Sequence, residues 1–429
     1  FLIIDLYSSW MESKDQLLGV SMSKRGYKAK SRYNPNGLSS VTIKAVKILN
    51  ERNLISFFPG FFDSKRRVSR LSRIAPQKTL KNYFDNFVFS PNQINNLKSK
   101  EYIFVTKEGN SLEEYKDNFE THEMREIMKN YNSLISKTFF DIPCVEKEYI
   151  ERGDKSKIII SDYCKNSYVV FQNKISYGAK FFGNWWSKLD LMSLQKYSNH
   201  MIINDSGTSF IDLSELFFAF FQKKFGFKSG ELNFENLIRK YNFLATTSQI
   251  CIIIEKLINS KNYSGFLKSF WNIKKRIGIS VMVEDKILKL FINDITKNST
   301  SLKKLIFTQQ TFSWEVITSH IFLNLLKSFG SNNVNIPIIK VHDKFFYPTS
   351  LENNVLEYFE ATLQKELNKR IKLKRNKCFQ YEASKKKSIF RKLVVNNLNF
   401  SARYKTNKKN FILSMKKAKL LTNHPIVKS

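Results

Sequence analysis

Cysteine is scarce in this sequence and shows no pairing pattern. Cys144, Cys164, Cys251 and Cys378 lie far apart, and no two of them form a C-x-x-C pair. This spacing argues against a zinc site and a disulfide framework and favours a reducing, cytoplasmic compartment. Long apolar runs are also missing, since the densest, 216–221, is far shorter than the roughly 18 residues of a membrane span. The sequence has no signal-peptide pattern and no internal repeat. We therefore expect no membrane partner.

Acidic side chains are few relative to basic ones. The 37 Asp and Glu face 71 Lys and Arg, which leaves a net charge of +34. AT-rich codon usage offers one explanation for abundant lysine, but it would spread the excess evenly. Residues 1–80 instead carry 15 basic and 5 acidic side chains, and residues 365–429 carry 20 and 2. The two ends thus hold net charges of +10 and +18, and the middle holds only +6. This distribution predicts a nucleic-acid partner, most simply DNA.

The basic N-terminal zone has the pattern of a winged helix. Ser39 or Ser40 precedes an amphipathic helix at 41–49, a strand follows at 53–58, and a turn at 61–67 leads to a second strand at 68–74. A winged helix lays a helix in the major groove and its wing along the backbone. The wing's basic side chains would contact phosphates: Lys65, Arg66, Arg67, Arg70 and Arg73. A small helical domain with a solvated basic hairpin is the alternative. We expect residues 24–33, in which tyrosines are interleaved with basic side chains, to be exposed, and this favours DNA binding.

The basic C-terminal zone has two interpretations. Phe379, Tyr381, Phe390, Phe400 and Tyr404 are scattered among its cations. Aromatic rings between cations suit single-stranded nucleic acid, because bases stack on the rings while phosphates pair with the charges. A disordered tail that only improves solubility explains the same composition.

Two aspartates in the middle of the chain lie at predicted strand ends. The segment 200–212 is typical of a β-hairpin that ends at Asp212, with a helix from Glu215 onward. Two apolar strands at 336–341 and 345–347 are joined by a turn that holds Asp343. Between these hairpins, a helix near 283–293 carries Lys286 and Lys289.

Two carboxylates at strand ends are suited to a two-metal site. Mg²⁺ prefers hard oxygen ligands, and two ions about 4 Å apart hold the attacking and leaving oxygens of a phosphoryl transfer. A lysine on a nearby helix would neutralise the incoming triphosphate. Each aspartate also has an ordinary explanation, because Asp before a helix caps it and Asp in a hairpin suits the turn.

This ordered set resembles the palm of single-subunit polymerases, meaning A-family DNA polymerases and phage-type RNA polymerases. More narrowly, the chain resembles bacterial mobile-element proteins with a winged helix before a reduced palm. Their D-Y-S-G-L-H motif A is similar to residues 212–217, their H-D-S motif C to 342–344, and their G-G-R-F-Y-G-x-W-W pattern to 178–186. A further match runs from Ser31 to Ile74, so the resemblance covers most of residues 7–360.

The resemblance implies roles for individual residues. Asp212 and Asp343 would bind Mg²⁺ or Mn²⁺, and Lys286 would bind the triphosphate. The remaining nucleotide or phosphate contacts would come from Lys180, Lys289, Phe217 and His342, with Phe217 crowding a ribose 2′-OH.

This sequence also departs from the family pattern. Lys180 and Met282 stand where the family has arginines, and Leu213 replaces a tyrosine. Lys344 adds a positive charge beside the motif C aspartate. Arg-to-Lys is not conservative at a bidentate phosphate site.

From these patterns we predict an α+β protein with a winged helix at 1–95, a palm-and-fingers core with an antiparallel sheet at 96–364, and a basic nucleic-acid-binding tail at 365–429. The predicted function is template-dependent nucleotidyl transfer from nucleoside triphosphates, as a DNA polymerase or primase in replication of a plasmid or mobile element. The main alternative is a non-catalytic winged-helix initiator or regulator that uses its palm as a scaffold. A third is an RNA-binding protein without an active site.

Overall fold

The computed structural model describes residues 1–24, 27, 30–34, 37–64, 68–86, 94, 101–107, 111–153, 155–172, 175, 178–204, 206–226, 240, 247–277, 285–309, 312–368, 373, 376–377 and 400–422. The protein is an α+β structure with several antiparallel sheets, as predicted. Its buried apolar side chains form two clusters, one between residues 6 and 94 and one between residues 103 and 363. The domain boundaries near 95 and 364 stay predictions.

The N-terminal elements surround a small antiparallel sheet. They are α1 (Leu2–Glu12), β1 (Leu18–Val20), α2 (Val41–Glu51), β2 (Ile55–Phe58), β3 (Phe61–Asp63), β4 (Val68–Arg70), β5 (Ser72–Pro76) and α3 (Lys78–Asn86). The strand order is β1-β5-β2, and β3 pairs with β4. The predicted helix at 41–49 is confirmed. The hairpin is longer than predicted, because residues 61–63 extend a strand instead of starting the turn.

The residues between 101 and 212 form three sheets with few helices. They contain β6 (Ile103–Thr106), α4 (Phe119–Ser136), β7 (Phe140–Asp141), β8 (Tyr149–Glu151), β9 (Lys157–Ile159), β10 (Tyr168–Gln172), β11 (Ala179–Phe182), α5 (Leu191–Tyr197), β12 (Ile202–Ile203) and β13 (Ser206–Asp212). One sheet has the order β11-β10-β6, and β8 pairs with β9. The predicted hairpin that ends at Asp212 is confirmed as β12–β13.

The second half is mostly helical and completes the central sheet. Its elements are α6 (Phe217–Phe225), α7 (Thr247–Asn259), α8 (Tyr263–Ile277), α9 (Asp285–Asn298), α10 (Thr300–Leu305), α11 (Trp314–Ser331), β14 (Ile339–Val341), β15 (Lys344–Pro348), α12 (Glu352–Leu367), β16 (Asn376–Lys377) and α13 (Ala402–Thr422). The central sheet is curled, with the order β14-β15-β13-β12-β7, and β16 pairs with β13. The second predicted hairpin is confirmed as β14–β15, although its first strand begins at Ile339.

Helix α11 packs between the β11-β10-β6 sheet and the central sheet. The ring of Phe322 lies 4.9 Å from that of Phe181 on β11 and 5.6 Å from that of Phe345 on β15. Phe345 also contacts Phe359 of α12, with ring centroids 5.0 Å apart. Burial of each such ring stabilises the fold by about 1.5–3 kcal/mol. This packing holds the β14–β15 hairpin in place relative to β11.

The end of the basic C-terminal zone is part of the folded core. Arg403 and Asp141 form a buried ion pair with two short contacts, Nη2 to Oδ1 at 2.6 Å and Nη1 to Oδ2 at 3.0 Å. Tyr404 is 3% exposed and packs on Phe139. Phe400 and Tyr404 stack on each other. Tyr404 therefore has no free face for the base stacking predicted for the rings of this zone, whereas Phe379, Tyr381 and Phe390 lie outside the described residues.

Part of the segment 24–33 contacts the core instead of facing solvent. The Tyr33 hydroxyl donates to the Glu113 carbonyl at 2.6 Å. Arg32 pairs with Asp117 at 3.0 Å and lies 3.7 Å over the Tyr115 ring. Hydrogen bonds from Arg32, and then from Arg125, hold the pKa of the Asp117 carboxyl well below its usual range. The prediction that Arg32 and Tyr33 are exposed for DNA was therefore wrong.

No helix among the described residues combines the length and apolarity that a bilayer span requires.

Candidate active site and nucleic-acid interface

One of the two predicted metal-binding aspartates ends strand β13, and the other lies in the turn just before the neighbouring strand β15. In the β13–β15 ladder the Cα partner of Asp212 is Lys344, the residue directly after Asp343. The amide of Leu213 donates to the Asp343 carbonyl at 2.9 Å, so the ladder continues into the turn. The turn itself consists of His342, at a φ of 54°, and Asp343. The fold thus brings together two aspartates that are 131 positions apart in the sequence.

The Asp212 carboxylate has two partners. Its Oδ1 accepts from the Ser214 amide at 2.9 Å, so the side chain caps the short 3-10 turn Leu213–Leu216. Its Oδ2 accepts from the Lys344 ammonium at 2.5 Å, and this ammonium also lies 4.7 Å from the centroid of the Phe210 ring. The side chains of the pair are 16% and 20% exposed. Asp212 therefore caps the turn that follows its strand, as an Asp before a helix commonly does, and it also forms a largely buried ion pair.

Asp343 is buried although it lies at a hairpin turn. Only 4% of its surface is exposed. Its charge and that of Asp212 both act on the buried thiol of Cys251 on α7. Burial raises the pKa of Cys251 well above the usual value, and the negative charges of Asp343 and then Asp212 raise it further. Both carboxylates are therefore close enough to this thiol for their charges to act on it.

The hairpin that carries Asp343 is held from two sides. The Nε2 atom of His342 lies 2.6 Å from the Leu189 carbonyl, just after the segment 178–186. On β14, the ammonium of Lys340 is 4% exposed and donates to Glu315 of α11 at 2.7 Å. A buried lysine needs such a partner, because desolvation of an unpaired charge is costly. These contacts give His342 a positioning role at the turn.

The three predicted phosphate-binding lysines lie on other elements than the two aspartates. Lys180 is half-buried on β11, where it is the partner of Val170 in a different sheet from the aspartates. Lys286 and Lys289 are exposed on α9, and the Lys289 ammonium lies 5.6 Å from the Tyr263 ring centroid. Met282 lies outside the described residues.

Phe217 belongs to the core. It is fully buried at 0% exposure and packs against Phe221 and Trp314, with ring centroids 5.8 Å and 5.4 Å away. A side chain without exposed surface has no face for a nucleotide. This position argues against the predicted contact with a ribose 2′-OH, and we leave Phe217 out of the site.

The predicted wing is only partly visible. Lys65, Arg66 and Arg67 lie outside the described residues. Arg70 is exposed on β4, and Arg73 is half-buried on β5. Their strands belong to the N-terminal hairpin, so both residues lie on the element that the sequence predicted to carry them.

The carboxylates of Asp212 and Asp343 suit a hard divalent cation, provided that the cation displaces the Lys344 ammonium. Asp212 and Asp343 supply the carboxylate oxygens that Mg²⁺ and Mn²⁺ prefer. The Lys344 ammonium already neutralises Asp212, so a cation would have to displace it. Across the part of the chain that the structure describes, no group of three or more His, Cys, Asp or Glu is arranged to hold a metal ion.

Sequence reasoning missed the ion-pair partners of this region. Lys340 could have been noticed, because a charge inside the apolar strand Ile339–Val341 requires a buried partner. The pairing of Arg403 with Asp141 had no local signal, since the two residues lie 262 positions apart. Cys251 was noted only for its lack of a cysteine partner.

Comparison of the chain with family profiles, with curated proteins and with solved structures found no match.

Proposed function

We propose that this protein binds DNA through an N-terminal winged helix and performs template-dependent nucleotidyl transfer, as a polymerase or primase, at a palm-type site. The single observation that supports this most is the register of β13 with β15, which puts Asp212 beside the hairpin of Asp343. Two carboxylates from adjacent antiparallel strands can share divalent cations, which stabilise charge on the transferring phosphoryl group. The excess positive charge at the chain ends supports a polyanionic template.

The chain's own residues would divide the work as follows. Asp212 and Asp343 would hold the cations, and the contact of His342 with the Leu189 carbonyl would keep Asp343 in place. Lys180, Lys286 and Lys289 would bind phosphates of the triphosphate or primer as these enter the site. When a cation binds Asp212, the Lys344 ammonium would release this carboxylate and remain nearby as a further positive charge.

The Lys344–Asp212 ion pair also favours a second candidate function. An ammonium 2.5 Å from Asp212 already supplies the positive charge that a cation would bring. If the ion pair takes the place of the cation, the palm serves only as a scaffold. The protein would then be a non-catalytic DNA-binding initiator or regulator. Extension of a primed template by the purified chain with Mg²⁺ or Mn²⁺ separates the two functions.

Replacing Lys344 by methionine tests whether its ammonium competes with a cation. Lys344→Met keeps the apolar stem beside Phe210 but leaves Asp212 without a counter-charge. We expect the melting temperature to fall without divalent ions and to recover when Mn²⁺ is added, because a ligand that binds only the folded state stabilises it. The affinity for Mn²⁺, measured by calorimetric titration, should rise about tenfold or more.

The matched control is Lys327→Met. It removes one charge from the surface ion pair between Lys327 of α11 and Glu123 of α4. It should leave Mn²⁺ affinity unchanged. If Lys344→Met gains no Mn²⁺ affinity and Mn²⁺ does not restore its melting temperature, the aspartates do not form a cation site. The scaffold function would then take the place of catalysis.

Replacing Arg70 by alanine tests the wing. A phosphate contact positions a protein on DNA without reading its sequence. We expect Arg70→Ala to weaken binding to all duplexes about equally and to reduce the slope of log affinity against log salt by about 1. Fluorescence anisotropy over a salt series measures both, with Lys129→Ala as a control at an exposed pair on α4. An unchanged slope would argue against the winged-helix assignment.

A further inference from the structure

The N-terminal hairpin exposes large apolar side chains at its outer end. Four are between 40% and 74% exposed: Phe58 at 40%, Phe61 at 53%, Leu71 at 64% and Phe62 at 74%. Exposed rings crowded into one short hairpin, unlike scattered ones, mark a binding surface. The hairpin as a whole, residues 55–76, carries five basic side chains and one acidic one.

These rings are not needed for the N-terminal core. That core consists of other residues, including Leu6, Trp10, Val46, Ile55 and Ile74, each at most 4% exposed. The neighbouring ring Phe57 packs against this core, and β2 continues from it directly into the exposed segment. Folding of the N-terminal unit therefore gains little from Phe61 and Phe62, and their exposure calls for a ligand.

The strand register places an arginine opposite two of the rings. Phe61 is the Cα partner of Arg70, and Phe58 is the partner of Arg73. A residue directly opposite in an antiparallel pair has its Cβ about 4.5–5.5 Å away. Each of these two rings thus shares a face of the sheet with an arginine, and this combination suits single strands, because bases stack on the ring and the backbone phosphates pair with the cation.

Gly60 fixes the hairpin between these two pairs. A Cβ at this position would lie 2.4 Å from the Arg70 carbonyl oxygen and 2.6 Å from the Ser72 amide. The Gly60 amide donates to the Ser72 hydroxyl at 2.9 Å. The two strands therefore approach so closely that only glycine fits, which holds Phe61 and Phe62 in a fixed position relative to the sheet below.

We propose that this hairpin binds unpaired nucleobases, which stack on Phe61 and Phe62 while Arg70 contacts the adjacent phosphates. The ligand class is single-stranded nucleic acid or the unpaired arm of a forked duplex. The charge of the hairpin favours this ligand over an apolar protein surface, because such a surface would offer no counter-charge to Arg70 and Arg73 on the paired strands. The proposal rests on the nucleic-acid partner of the proposed function and not on catalysis.

The test compares a forked DNA duplex with a blunt duplex of the same paired sequence. Binding of the full-length chain is measured by fluorescence anisotropy without nucleotides or divalent ions, so that failure of catalysis does not affect it. We expect the double variant F61A/F62A to lose about tenfold or more in affinity for the fork. Its affinity for the blunt duplex should change by less than about twofold, and its salt slope should stay the same.

Two further measurements identify stacking itself. A 2-aminopurine in the unpaired arm should change its emission on binding to wild type and to F61Y/F62Y, which keeps both rings, but not on binding to F61A/F62A. The control Phe119→Ala removes a ring that is 81% exposed at the start of α4, and it should bind like wild type.

Three results would overturn the proposal. Equal losses for fork and blunt duplex would show that the hairpin contacts only duplex DNA. Unchanged fork binding would show that the rings take no part. Altered sedimentation of F61A/F62A with unchanged DNA binding would show that Phe61 and Phe62 contact another protein molecule.

Discussion

Asp343→Asn and Asp212→Asn are each expected to abolish primer extension. Asparagine keeps the size of the side chain but loses the negative charge that holds a divalent cation. We expect a fall of at least about 100-fold in extension rate for either variant, because the cations stabilise the charge on the transferring phosphoryl group. The measurement is extension of a labelled primer with deoxynucleotides and with ribonucleotides, in Mg²⁺ and in Mn²⁺, over long incubations.

DNA binding separates this result from misfolding. Both variants leave the basic side chains at the two ends of the chain unchanged, so affinity for DNA should stay close to that of wild type. Asp212→Asn also leaves the Lys344 ammonium without its partner, and the double variant D212N/K344M removes that buried charge. Recovery of wild-type stability without extension in the double variant would support a catalytic role for Asp212. Equal inactivity of wild type and variants under every condition would support the scaffold function.

Loss of the Arg403–Asp141 ion pair is expected to have the largest effect on stability. The two side chains are 5% and 2% exposed, and Arg403 also donates to the carbonyls of Ile142 and Val145 at 2.8 Å and 2.7 Å. Removal of one partner leaves a buried charge uncompensated, which costs about 3–5 kcal/mol. We therefore expect Arg403→Met to lower the free energy of unfolding by that amount in urea denaturation.

The matched control is Lys409→Met, which removes a charge from an exposed position on the same helix. Arg403→Lys should be nearly as destabilising as Arg403→Met, because lysine lacks the planar fork that reaches Asp141 twice. Unfolding of Arg403→Met at the same urea concentration as Lys409→Met would mean that α13 contributes nothing to the core. A truncation at residue 365 removes Arg403 and is for this reason unsuitable for testing the charge of the C-terminal zone.

Local patterns in the sequence predicted the elements that carry the site. The continuous apolar run of β15 and the turn residues at 204–207 depend on neighbours within a few positions, so they indicated both hairpins correctly. The apolar periodicity of 41–49 indicated α2 in the same way. The errors are of a different kind, because an isolated segment does not reveal whether its polar residues face solvent or another part of the chain. From the sequence we expected Arg32, Tyr33 and Tyr404 to contact nucleic acid. In the fold they contact other residues of the protein instead.

Composition and local patterns were enough to predict the charge distribution, the α+β class and the positions of Asp212 and Asp343 at strand ends. These properties follow from composition and from the periodicity of the backbone, which act over short distances. The tertiary structure alone decided that Lys344 pairs with Asp212, that Arg403 pairs with Asp141, and that Phe217 is buried. Such contacts depend on strand register and on packing between distant segments. Burial then decides their strength, because a charge removed from water must find a partner wherever the fold provides one.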